Sequence, residues 1–178
     1  PKKIISILGE KQGEALVASL GSAPDLVFSL INENQIKCEP KRNGTLHCAD
    51  SEKGMDYLTE RFKQGQLYGE PLRLIDKSET ENKIGSSKFF GSLYDPRAGT
   101  IQPLAYCKGL ARSAQKLGAK IYENSGATRI RRNKNLWQVN VKEVIIKSKF
   151  LLLAMNAYQN MDGEEYSAKF STVYYSQF

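Results

Sequence analysis

Apolar positions along this chain switch between two periods, and the switches predict its elements. Over residues 12–33, Ala15, Leu16, Ala18 and Leu20 precede Pro24, and Leu26, Val27, Leu30 and Ile31 follow it at helical spacing. Pro24 is expected to end one helix or kink a longer one, because its ring removes a hydrogen bond and collides with the preceding turn. Asp25 beside it suits a first turn, where a negative charge meets the positive helix end. From Ile36 the period becomes two. Ile36 and Cys38 alternate with polar residues, Asn43-Gly44 marks a turn, and Leu46 and Cys48 alternate with Thr45 and His47. This predicts a hairpin of half-buried strands.

Helical spacing returns at Met55, Leu58 and Phe62, with Ser51 as N-cap and Gly65 as the stop. Asp76 or Ser78 is placed to cap a short helix through Ile84. A strand is expected over Lys88–Tyr94, and Asp95-Pro96-Arg97-Ala98-Gly99 has turn chemistry. Pro103 suits a first helical position. Leu104, Cys107, Leu110, Ala111, Ala114 and Leu117 then form one apolar face, closed by Gly118. "AKIYENSGATRIRR" and "NLWQVNV" read as strands around an Asn133–Asn135 turn. "FLLLAM" at 150–155 has the continuous apolar character of a strand buried on both faces. Phe170–Tyr175 reads as a further β segment. The succession is α+β, with a mixed or antiparallel sheet flanked by helices.

Composition narrows the functional classes. Among 178 residues, 40% are hydrophobic and 25% charged, as in an ordinary globular protein. The 26 basic and 19 acidic residues leave a net charge of +7. The basic residues are scattered, which argues against a nucleic-acid footprint; the densest cluster, "RIRRNKN" at 129–135, falls at an expected hairpin tip. An alternative function, a non-enzymatic binding module for nucleic acid or protein, would use that tip. Cys38, Cys48 and Cys107 are odd in number and lack Cys-x-x-Cys spacing, so reduced thiols are expected over a Cys38–Cys48 pair. Asn43-Gly44-Thr45 matches a glycosylation pattern, but Asn-Gly is better read as a turn. No signal peptide is visible, and the longest apolar run is too short to span a bilayer; a cytoplasmic location without membrane contact is expected. No glycine fingerprint for phosphate, no metal-ligand spacing and no nucleophile elbow occurs. His47, the only histidine, has no partner in the sequence pattern, so no catalytic residue is named.

The stretch "GSLYDPRAGTIQPLAYCKGLARSAQKLGAKIYENSGATRI", followed by "LLLAMNAY", resembles FAD-dependent oxidoreductases of the D-amino-acid oxidase superfamily. It is closest to the subgroup typified by gamma-glutamylputrescine oxidoreductase. The upstream "APDLVFSLINENQIKCEPKRNGTLHCA" is similar to the same subgroup. The resemblance implies FAD as cofactor in a parent protein and oxidation of a CH–NH bond in an amine or amino-acid-like substrate. It departs at one point: such enzymes open with a glycine loop on the FAD pyrophosphate, and this sequence has none. The chain is therefore expected to be an internal fragment, silent alone and weak in FAD binding. The resemblance places residues 1–105 in a substrate-side lobe, 106–160 in the FAD lobe, and 161–178 at the start of a further substrate-lobe strand. It puts Ala127 and Thr128, with Ala154, Asn156 and Ala157, against the cofactor, and Tyr94 near the substrate. An interface left by a missing lobe would favour self-association.

Overall fold

Gly9, at a positive φ of 77°, separates two N-terminal helices. These are α1 (Lys2–Leu8) and α2 (Glu10–Glu33) in the computed structural model, which describes residues 1–155. A Cβ on Gly13 would collide with the Ile5 backbone, so glycine is what lets α2 lie against α1. α2 runs on through Pro24. The lost hydrogen bond is offset by packing, since Val27, Phe28 and Ile31 on its second half enter a core. Read as one helix, α2 is long and apolar enough to cross a bilayer by length and composition, with a mean hydropathy of 1.4 over its most apolar 18 residues. Shorter apolar runs in the sequence do not reveal this. In this fold its end buries Ile31, and Asp25 is ion-paired with Arg42.

The following elements are β1 (Thr45–Ala49), α3 (Glu52–Leu67), β2 (Arg73–Ile75), α4 (Lys77–Ile84), β3 (Gly91–Asp95) and α5 (Pro103–Lys116). The N-caps of α3 and α4 are the predicted ones. Ser51 accepts from the Gly54 amide at 3.1 Å, and Asp76, not Ser78, accepts from the Glu79 amide at 2.8 Å. Ser51→Ala should therefore cost about 1 kcal/mol, read as a lower urea midpoint at unchanged slope. α3 passes Gly65, the expected stop, by two residues; that glycine is buried against Leu72, whose side chain leaves no room for a Cβ.

The hairpin expected around Asn43-Gly44 does not form. Its turn is present, with Gly44 at a φ of 78°, but β1 pairs antiparallel with β3, and β2 takes the other edge of β3. Ile36 and Cys38 instead pack with Ile31, Ala105, Tyr106 and Leu110. Burial among helices took the apolar positions that resembled a strand. β3 is the middle strand. One of its faces sends Leu93 into a core with Ala49, Leu58 and Leu72. The other holds Ser92, whose hydroxyl shares a buried 2.8 Å hydrogen bond with Thr80 of α4.

The chain divides into units Pro1–Ala119 and Lys120–Phe178. α5 lies in the first unit, where Ala105, Tyr106 and Leu110 pack with Ile31, Ile36 and Cys38. The second unit holds an antiparallel meander, β4 (Ala127–Asn133), β5 (Leu136–Val141) and β6 (Val144–Ser148). The Asn133–Asn135 turn lies between β4 and β5 as predicted. Two corrections fall here. Only the 127–132 part of "AKIYENSGATRIRR" is strand, and residues 150–155, "FLLLAM", form none, with Phe150 and Leu152 each 88% exposed. A strand buried on both faces needs neighbours on both sides, and neither described sheet includes this segment. The β segment at 170–175 lies outside the described residues.

Candidate functional site

In the first unit, the sheet face opposite Leu93 carries Leu46, Arg73 and Tyr94 side by side in register. Tyr94 borders a cleft of about 410 Å³ with Asn43, Gly44, Thr45, Leu46 and Lys83. Its hydroxyl donates to the Asn43 carbonyl at 3.1 Å. Gly44 is required at this point, because a Cβ there would strike the tyrosine ring. Arg73 lies 6.0 Å from the ring centre. Arg73 and Lys83 share one carboxylate, Glu79, at 3.5 Å each, so this rim is net positive.

Beyond Tyr94 the turn is built on charge. Arg97 holds Asp95 through a two-pronged fork at 2.9 and 2.7 Å, and its backbone amide adds a third bond at 3.0 Å. The guanidinium also lies 3.5 Å from Glu70. The Asp95 carboxyl is held below the usual carboxylate range, chiefly by the Arg97 side-chain hydrogen bond. Burial, then the Arg61 charge, push the His47 imidazole below its ordinary value, against Asp95, which raises it. Arg97 also lines a larger cleft, about 550 Å³, with Glu14, Asp25 and Glu70. Its Nε and Nη2 are spent on carboxylates, and the lining of this cleft carries three carboxylates against one guanidinium. The Asp95–Arg97–Glu70 cluster was not legible in the sequence; only the Asp-x-Arg spacing hinted at it.

In the second unit, Ala127 opens β4 opposite Val141, and a register shift before Arg129 leaves Thr128 without an opposite residue. Such a bulge bends the strand and frees backbone. Ala127 is half-buried, and its small side chain allows close approach to the main chain. The Thr128 hydroxyl donates to the Asn140 carbonyl at 3.3 Å, which leaves its oxygen lone pairs as acceptors. Ala154 is exposed and outside any strand. Asn156 and Ala157 lie outside the described residues. Cys38 is buried, Cys48 half-buried and Cys107 exposed, and all three are free thiols, as expected. Among the described residues no His, Cys, Asp and Glu side chains group to hold a metal ion.

A family model described as FAD dependent oxidoreductase, DAO, matches residues 5–175. The chain belongs to the DAO family of FAD-dependent oxidoreductases. It is 30% identical over 156 residues to the probable oxidoreductase OrdL of Haemophilus influenzae, covering 86% of this chain and 36% of that protein. It is 27% identical over 159 residues to gamma-glutamylputrescine oxidoreductase of Escherichia coli, covering 86% and 37%. Two solved DAO-type structures share the fold. Glycine oxidase from Geobacillus kaustophilus has a TM-score of 0.67 at 21% identity, over 80% of this chain and 39% of that one. L-proline dehydrogenase from P. horikoshii has 0.66 at 18%, over 76% and 38%. The chain thus spans little more than a third of the length of these DAO proteins. The resemblance read from "YDPRAG" and the helix after it is borne out at the level of the family.

Proposed function

We propose that this chain forms part of an FAD-dependent oxidoreductase that oxidises a CH–NH bond of an amine or amino-acid-like substrate, of the gamma-glutamylputrescine type. The observation that carries this is the family match across 5–175, joined to the likeness to gamma-glutamylputrescine oxidoreductase over 86% of the chain. In this reading the first unit supplies substrate-side structure and the second supplies strands of the FAD lobe. FAD, when bound, supplies the two-electron acceptor.

The chain's own residues position and select. Ala127 would hold the adenine end by close backbone approach. The Tyr94 hydroxyl donates its one hydrogen bond to the Asn43 carbonyl, so toward a substrate it offers the oxygen lone pairs and the ring face. Both accept an ammonium or amine donor. Gly44 and the Asn43 carbonyl hold that ring in one orientation, which lowers the ordering cost when substrate arrives.

With FAD bound, anaerobic addition of gamma-glutamylputrescine or a small amino acid should bleach the flavin absorbance, and the matching alcohol should not. Bleaching by the alcohol alone would overturn the assignment. The 178-residue chain by itself should take up FAD weakly, because no glycine loop is present in it to cradle the pyrophosphate. One equivalent of flavin co-purifying with it would contradict that.

A further inference from the structure

Asn43-Gly44 has a second chemical property. An asparagine followed by glycine can cyclise, because glycine has no Cβ to hinder attack of its own amide nitrogen. The loop is exposed at Asn43, so water can complete the reaction. Two bonds oppose it here. The Gly44 N–H donates to the Ala98 carbonyl at 2.9 Å, which occupies the nitrogen that would attack. The Asn43 carbonyl accepts from the Tyr94 hydroxyl at 3.1 Å, which pins the backbone on the other side.

We propose that Asn43 is a deamidation site of this chain, held latent in the native fold by the Gly44–Ala98 and Asn43–Tyr94 hydrogen bonds. The step balances within the chain and water. The Gly44 nitrogen loses its proton and bonds to Asn43 Cγ, the bond from Cγ to the side-chain nitrogen breaks, and ammonia leaves with that proton. Water then opens the succinimide to aspartate or isoaspartate. Either product places a new carboxylate on the rim of the Tyr94 cleft, facing the same space as Lys83. Isoaspartate also lengthens the backbone by one carbon where the Tyr94 ring allows no slack. Local opening of the 43–44 loop from the 97–99 turn is therefore the controlling event.

The experiment incubates the folded 178-residue chain, and the same chain in concentrated urea, at mildly alkaline pH. Peptide mass spectrometry follows replacement of NH by O at each asparagine. Asn43 should convert at least about tenfold more slowly when folded, which corresponds to about 1.4 kcal/mol of opening free energy. Tyr94→Phe should speed conversion in the folded state and leave the rate in urea unchanged. Equal rates for Asn43 folded and unfolded would overturn the proposal. So would faster conversion at another asparagine in urea, or a folded Tyr94→Phe chain that converts no faster than the parent.

Discussion

Leu93→Ala should lower the stability of the first unit by about 2–5 kcal/mol. Leu93 is 0% exposed, at the centre of the middle strand, and packs with Ala49, Leu58 and Leu72. β1 holds one edge of β3 and β2 the other. Removing the side chain deletes its transfer free energy and leaves a cavity that three fixed neighbours cannot close. A urea titration followed by circular dichroism should show the midpoint falling with the slope unchanged. Leu104→Ala, at a position 58% exposed, should stay within about 0.5 kcal/mol of the parent. Equal effects for the two leucines would mean that β3 is not the centre of the core.

Arg97→Ala should cost about 1–3 kcal/mol, and it should change how stability depends on pH. The Arg97 and Asp95 side chains are each 19% exposed, so the loss leaves Asp95 and Glu70 without their shared cation in a partly dry setting. The full cost of breaking a buried pair is reduced here by solvent. The sign follows from Asp95. Its carboxyl is depressed in the folded state, first by the Arg97 side-chain bond. Its contribution is therefore complete above the ordinary carboxylate value of about 4 and is lost as pH falls through the depressed value. The parent should lose stability on acidification below that point, and Arg97→Ala should lose less. Parallel curves would show that the fork contributes nothing that titrates.

Local chemistry was read well from the sequence where the cause is local. Ser51, Asp76 and Pro103 begin helices because a side-chain acceptor or a missing amide acts within one turn. The tip between β4 and β5 lies where Asn133–Asn135 predicted it. Three things escaped. α1 is only seven residues long, too short for periodicity to stand out. β2 is three residues, "RLI", and exists because β3 offers an edge. The Asp95–Arg97–Glu70 cluster joins residues up to 27 positions apart, and no spacing rule reports such a contact.

The candidate site divides in the same way. Its family membership was legible, because "YDPRAG" and the helix after it are contiguous and keep their order. Ala127 was placed by that resemblance, and the bulge beside it came only from pairing with Val141 and Asn140. Tyr94 was legible as a tyrosine at a strand end, but not the use of its hydroxyl, because Asn43 lies 51 residues away.

The sequence by itself thus determined the helix N-caps, the turns, the α+β class and the family. Each of these depends on neighbours within a few residues or on motif order. The tertiary structure alone decided that β1 joins β3 and not residues 36–38, that α2 continues through Pro24, and that α5 packs with the first unit. Those outcomes turn on competition for burial. The same apolar residue satisfies a strand or a helix face locally, and only the partner brought to it by the rest of the chain sets which one wins.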